Sequence, residues 1–381
     1  MRAKTPFLPA LFLALSAVAR PAAAFMAGVD ALERSDFAVL QGRRVGIITN
    51  QTGVDRQGRS TVDVLFAARN LSLAAIFSPE HGFRGDQQGG ATVGNSTDPV
   101  TGLPIYSLYG KTHRPTSEML RGIDVLVFDI QDVGARFYTY LTTMALCMEE
   151  ASKRGIDFVV LDRPNPLGGE VLEGPVLDGP FDFTGYFPVP VRHGLTPGEM
   201  ARLHADVKGL KLKLTVVPLQ GWTRDMHYDQ TGYPWVRPSP NIRDLDAALL
   251  YAGLGLFEAS NMSVGRGTDS PFLWFGAPWL DSARMARTLQ AAALPGLRFW
   301  PETRTPSEDL YAGKACPGVR VEVLERGRVR ALDVFVHAVA ALRDQKASAV
   351  KLRAQEAALM VGSNIDKAVF QSREPAGKIL A

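Results

Sequence analysis

Four short polar segments, each following an apolar run, carry the residue types of acid–base chemistry on a sugar. Asn50-Gln51-Thr52-Gly53 follows the run at 45–48, and Ser78-Pro79-Glu80-His81-Gly82 follows the run at 73–77. Asp129-Ile130-Gln131-Asp132-Val133-Gly134 follows the run at 125–128, and Asp162-Arg163-Pro164-Asn165-Pro166 follows the run at 158–161. Breaking a glycosidic bond needs a general acid for the leaving oxygen and a second group that answers the positive charge at the anomeric carbon. Most glycosidases use two carboxyl groups about 5–9 Å apart for this. Glu80 is the candidate acid, because Pro79 and Gly82 tighten its loop and would hold the carboxyl partly out of water; its alternative is an ion pair with Arg84. Asp129 and Asp132 share one loop, and each either lines the site as the second group or caps the helix starting near Tyr138. His81 and His193 orient or bind substrate, or are satisfied by packing. The run Arg136-Phe137-Tyr138-Thr139-Tyr140 reads as half core and half cleft. Asp124 and Asp162, at the ends of elements, read as caps.

These side chains meet only if the runs before them are parallel strands. Alternation of apolar runs with amphipathic segments at 61–69, 138–154 and 197–206 predicts such a sheet covered by helices. The C-terminal ends of its strands share one edge, where open α/β sheets bind ligands. Neighbouring strands lie about 4.8 Å apart, which brings carboxylates from nearby loops into glycosidase range. Thr196, Pro197 and Glu199 supply N-cap, first-turn proline and capping-box acid for the helix at 197–206. A further strand is expected at 212–217, and a long surface excursion at 89–110. The aromatic and proline-rich stretch at 221–241 reads as irregular. A second, smaller α/β unit begins near residue 250, with helices at 281–293 and 332–343 and a strand at 319–323 between them. At its start, Glu258, Asn261, Arg266 and Asp269 surround two glycines and either converge on a ligand or form a hydrated loop closed by an Arg266–Asp269 pair. The organisation is therefore a leader at 1–24, a catalytic unit at 40–250 and a C-terminal α/β unit at 251–381, with the cleft at their junction.

Several chemistries are excluded. There is no Gly-x-x-x-x-Gly-Lys-Ser/Thr phosphate loop, no Gly-x-Gly-x-x-Gly after the first strand, no Gly-x-Ser-x-Gly elbow and no His-Glu-x-x-His motif, which argues against nucleotide cofactors, serine hydrolysis and zinc proteolysis. Two cysteines, Cys147 and Cys316, cannot build a cysteine-based zinc cluster and read as free thiols. Arg2 and Lys4, the apolar run at 7–18 and Pro21-Ala22-Ala23-Ala24 have the form of an export signal cleaved after Ala24. The run is too short for a comfortable membrane span, so the mature protein is expected to be secreted into the periplasm without an anchor. The formal net charge of +3 is carried by Arg2, Lys4 and Arg20 in that leader, and the near-neutral remainder gives no basis for binding nucleic acid.

The same segments, taken with Val45-Gly46-Ile47-Ile48-Thr49-Asn50 and with Glu258-Ala259-Ser260-Asn261 through Arg266-Gly267-Thr268-Asp269, resemble the NamZ-type exo-β-N-acetylmuramidases. The likeness runs from about residue 40 to about residue 320 and weakens beyond Val323. It implies a Rossmann-like, mostly parallel N-terminal sheet, a smaller α/β C-terminal unit and a cleft between them. The implied activity releases N-acetylmuramic acid from the non-reducing end of muropeptide-derived glycans such as MurNAc-GlcNAc, without metal or nucleotide. The glutamate of Ser78-Pro79-Glu80-His81-Gly82 is the residue carried over as catalytic. Arg136, Asn165, Asn261 and Arg266 would then hold the lactyl carboxylate and acetamido group, since a guanidinium binds both oxygens of a carboxylate at once; Asn50, His81, Tyr138, Arg163, His193, Glu258 and Asp269 complete the expected binding set. Retention, inversion and participation of the acetamido group stay open at this stage. The competing reading is a periplasmic sugar- or muropeptide-binding protein without turnover.

Overall fold

The runs that read as strands are rich in Val, Ile, Leu and Phe and buried on both faces, as strands covered by helices on either side must be. In a computed structural model, which describes residues 25–84, 94–346, 349–362 and 374–380, they form β1 (Arg44–Thr49), β2 (Ser72–Ser78), β5 (Val125–Asp129), β6 (Asp157–Leu161) and β7 (Leu214–Val217), while the stretch expected as a surface excursion holds two further strands, β3 (Ser96–Thr97) and β4 (Pro104–Ser107). The leader expected at 1–24, the start of the excursion at 89–110 and part of the tail beyond 362 lie outside the described residues. The sheet order is β3-β4-β2-β1-β5-β6-β7. All neighbours are parallel except β3, which pairs antiparallel with β4 on the edge.

Setting β3 aside, the strands follow the doubly wound Rossmann order, whose direction of winding reverses between β1 and β5. There the register pairs Thr49 with Asp129 at the carboxyl ends, so the loops after β1 and β5 diverge to opposite sides and open a crevice. Helices α1 (Gly28–Arg34), α2 (Thr61–Ala67), α3 (Tyr140–Arg154) and α4 (Pro197–Lys208) accompany the sheet. The start of α4 has the expected capping box: Thr196 accepts from the Glu199 amide and the Glu199 carboxylate accepts from the Thr196 amide. Asp162 and Asp124 serve as local acceptors, Asp162 for the Arg163 and Gly198 amides and the Thr196 hydroxyl, Asp124 for the Arg44 amide.

The second unit starts with α5 (Leu245–Leu254), into which the apolar run before Glu258 folds. It continues through β8 (Trp274–Gly276), α6 (Ser282–Ala291), β9 (Leu297–Arg304), β10 (Cys316–Val323), α7 (Ala331–Lys346), α8 (Ala354–Val361) and α9 (Ala376–Leu380). Its antiparallel sheet has the order β8-β10-β9. The strand expected at 319–323 is longer than its apolar pattern suggested. β9 gave no apolar run because only Leu297 and Phe299 of its eight residues are buried. Cys147 and Cys316 are buried and unpaired.

Candidate active site

The loop after β2 makes the tightest turn on the crevice. The Gly82 amide donates to the Pro79 carbonyl at 3.1 Å, with His81 at φ 69° and Gly82 at φ 76°, a left-handed pair in which glycine removes half the steric cost. The turn stands Glu80 up at the sheet edge, half-buried. Its Oε2 accepts from Thr139 Oγ1 at 2.7 Å, and the Tyr109 hydroxyl bonds to the same carboxylate. Burial, reinforced by the charge of Glu80, pushes the Tyr109 phenol up to about 12. Arg84, the alternative partner for Glu80, pairs with Asp98 at 3.4 Å. His81 is buried, edge-on to Tyr140 at 6.4 Å between ring centroids.

The β5 loop divides its two aspartates. Asp129 is fully buried; Arg163 reaches its two oxygens through Nε at 2.5 Å and Nη2 at 2.9 Å, and Thr61 Oγ1 donates to Oδ2 at 2.5 Å. Arg163 also donates to the Val54 carbonyl at 2.9 Å. Asp129 and Arg163 thus clamp each other in a bidentate pair, with Thr61 and the Val54 carbonyl as further partners. Asp132 is 3% exposed. Its Oδ2 accepts from the Gly134 amide at 2.7 Å and lies 3.7 Å from His193 Nε2, while its Oδ1 and His193 Nε2 have no hydrogen-bond partner among the described residues. His193 Nδ1 accepts from the Leu195 amide, which puts the proton of a neutral ring on Nε2, facing Asp132. This pair lies behind the crevice surface rather than on it.

Other expected ligands serve the scaffold. Asn50 Oδ1 accepts from the Thr52 amide and hydroxyl. Asn165 spans the Leu195 carbonyl and the Leu167 amide, packed so closely that a Cβ on Gly134 would fall 2.5 Å from its Oδ1. Arg136 donates to the carbonyls of Pro175, Val189 and Met360, and burial lowers its guanidinium to about 10. Asn261 fastens residues 349–351 through the Ala349 carbonyl and Lys351 amide. Asp269 is exposed and pairs with Arg304, so the Arg266–Asp269 pair does not form. Arg136, Asn165 and Asn261 are thus bonded to backbone groups, and Asp269 is paired with Arg304 at the surface.

The second unit presents a different pair. Glu258, on the short turn Gly255–Ala259 after α5, receives Arg266 Nε at 2.6 Å. Burial raises its carboxyl above the ordinary value despite Arg266, and the charges of Asp309 and Glu80 add to the rise. Tyr251 of α5 is raised well above its usual range by burial, and the charges of Glu258, Glu80 and Asp132 all reach it. Tyr138 packs edge-on against Tyr140 and Tyr251 at 4.7 and 5.8 Å. Tyr109, His113 and Tyr251 surround Glu80 and Glu258 without having been singled out by sequence patterning: Tyr251 lies in an apolar helical stretch that looks like core, and the segment carrying Tyr109 and His113 has no periodicity. Among the described residues, no group of three His, Cys, Asp or Glu side chains could hold a metal ion.

A Rossmann-ordered sheet carrying Glu80, joined to an α/β unit whose small antiparallel sheet follows Glu258, defines a two-part α/β protein. Descriptions of the exo-β-N-acetylmuramidase NamZ match it along most of its length, the N-terminal part at 45–246 and the C-terminal part at 249–380. The peptidoglycan β-N-acetylmuramidase NamZ of Bacillus subtilis (strain 168) is 44% identical over 318 residues, which are 83% of this chain and 77% of that protein. Two crystal structures of DUF1343 family proteins from Bacteroides fragilis NCTC 9343 share the fold. One has a TM-score of 0.85 and 37% identity over 92% of both chains, the other 0.75 and 29% over 93% of both. The chain belongs to the exo-β-N-acetylmuramidase NamZ family.

Proposed function

We propose that this protein is an exo-acting glycoside hydrolase that releases N-acetylmuramic acid from the non-reducing end of peptidoglycan fragments. The observation that carries the reading is Glu80: a half-buried carboxyl on a tight turn at the sheet's ligand-binding edge, anchored by Thr139 and Tyr109, in a chain 44% identical to a peptidoglycan β-N-acetylmuramidase. Glu80 protonates the glycosidic oxygen as general acid. Glu258 is the second carboxyl, facing Glu80 from the C-terminal unit, and Arg266 beside it supplies the guanidinium for the lactyl carboxylate. Asp132, beside His193, adds its charge to the surroundings of Tyr140 and Tyr251. A division into units near residue 250 is supported by where the two family matches meet. The N-terminal pattern of basic residues, apolar run and small-residue cleavage site supports export to the periplasm; among the described residues no helix is long and apolar enough to cross a membrane.

The test is turnover of muramyl-(β1,4)-N-acetylglucosamine by the mature protein and by Glu80→Gln. The wild type should release N-acetylmuramic acid, and the variant should lose at least about 10²-fold in kcat. Binding without cleavage by the wild type overturns the hydrolase reading in favour of a muropeptide-binding protein. Activity that survives the substitution moves the acid to Glu258.

A further inference from the structure

We propose that Tyr109, His113 and Phe183 form an aromatic wall that receives the leaving sugar, the N-acetylglucosamine unit released when the muramyl bond breaks. This rests on the muramidase reading and extends it to the other side of the scissile bond. The His113 and Phe183 rings stack at 3.9 Å between centroids with 19° between planes. Tyr109 stands 5.5 Å from the first and 5.9 Å from the second. All three are half-buried on loops, so a continuous aromatic surface borders the carboxylate that Tyr109 itself contacts.

The wall and the Glu258–Arg266 pair come from different parts of the molecule. The loops of Tyr109, His113 and Phe183 are fastened to α3 and α4 of the first unit, whereas Glu258, on the turn that follows α5, pairs with Arg266. Glu258 feels Glu80 together with Arg266 and Asp309. Glu80 is bonded by Tyr109 of the aromatic wall, and its charge also bears on Glu258 beside Arg266. A general acid sits at the oxygen joining the two sugars. With the muramyl carboxylate taken by the Arg266 side, the ring beyond that oxygen falls against Tyr109, His113 and Phe183. The chemistry suits it, since a pyranose offers a patch of C–H groups to an aromatic face while its hydroxyls reach a polar rim, here supplied by the Tyr109 hydroxyl and Asp182.

The wall is also held still. Arg114, next to His113, donates to Glu149 of α3 at 2.7 Å and to the Tyr186 hydroxyl at 3.3 Å. Tyr186, three residues beyond Phe183, donates to the same Glu149 at 2.6 Å, and His204 of α4 meets it at 3.2 Å. One glutamate therefore fastens both loops that carry the wall. Neither loop must be ordered when the sugar arrives, which is how a rigid subsite gains affinity.

The test compares the disaccharide with β-muramyl fluoride, whose leaving group has no ring. In Phe183→Ala the ratio of kcat/KM for the disaccharide to that for the fluoride should fall about tenfold, chiefly through KM of the disaccharide. Phe183→Trp should restore it, which loss of folded protein in the alanine variant would not predict. Inhibition by free N-acetylglucosamine should weaken in parallel. An unchanged ratio, or a loss that the tryptophan variant does not recover, overturns the wall assignment. Failure of the wild type to cleave either compound would overturn the muramidase reading itself, so the two failures are distinct.

Discussion

Arg163 and Asp129 illustrate how a charged pair at the edge of a catalytic crevice is committed to structure. Both are buried, and the guanidinium meets both carboxylate oxygens. Removing one partner of such a pair leaves a charge in a low-dielectric interior, so Arg163→Ala is expected to cost about 3–5 kcal/mol in urea unfolding. A double variant, Arg163→Met with Asp129→Leu, should recover most of that loss, because apolar residues of similar volume carry no desolvation penalty. A substrate-binding arginine would show the opposite pattern, a raised KM with stability retained. Glu80 differs in environment rather than type. It is half-buried, and its carboxylate meets the hydroxyls of Thr139 and Tyr109 rather than a guanidinium clamp.

At the scale of elements, the joint between β6 and α4 couples a helix cap to a buried carboxyl. Thr196 caps α4 and also donates to Asp162 at 2.9 Å, while the Gly198 amide donates to Asp162 at 2.8 Å. Burial outweighs these donors and raises the Asp162 carboxyl from 3.8 to about 6. With the folded value above the unfolded one, the folded state binds more protons between them. The stability this group contributes is fully present below about pH 4 and is lost as pH rises through about 6. Urea midpoints of the wild type and Asp162→Asn measured across that window should therefore converge or cross: the variant gains relative to wild type, by on the order of 2–3 kcal/mol, as pH rises from about 4 to about 7. A parallel offset at every pH would show that the carboxyl titrates as it does in the unfolded chain.

For the whole molecule, the joint between the two parts is aromatic. Tyr251 of α5 packs against Phe137 at 4.9 Å, Tyr138 at 5.8 Å and Phe272 at 4.8 Å, and its hydroxyl lies in the fields of Glu80, Asp132 and Glu258. One residue thus bears on both the cohesion of the parts and the electrostatics of the site, and two substitutions separate these. Tyr251→Ala opens a cavity at the junction and should cost about 3–5 kcal/mol in chemical unfolding. Tyr251→Phe keeps the ring, should cost no more than about 1 kcal/mol, and reports the hydroxyl's part in turnover alone. Equal losses of stability would mean that the hydroxyl, not the ring, holds the junction.

Strands β1, β2, β5, β6 and β7, the capped start of α4 and the helices at α2, α3, α6 and α7 were legible in the sequence because each is specified by neighbours a few residues away: apolar runs, a threonine–proline–glutamate start, a 3.6-residue repeat. The tight turn at Glu80 was legible for the same reason. The short parallel β4, inside the expected surface excursion, was not. What the sequence could not determine is which polar residues of a loop face the crevice. Asp129 and Asp132 stand three positions apart, yet one is clamped by Arg163 and the other backs onto His193, partners 34 and 61 positions further along the chain. The same holds for Arg136 and Asn261, whose acceptors come from distant backbone, and for Tyr109 and Tyr251, which read as loop and core until the fold brings them to Glu80. Local pattern sets the elements and the edge where ligands bind. The long-range pairing of buried charges and backbone acceptors, visible only in the tertiary structure, decides which residues remain for chemistry.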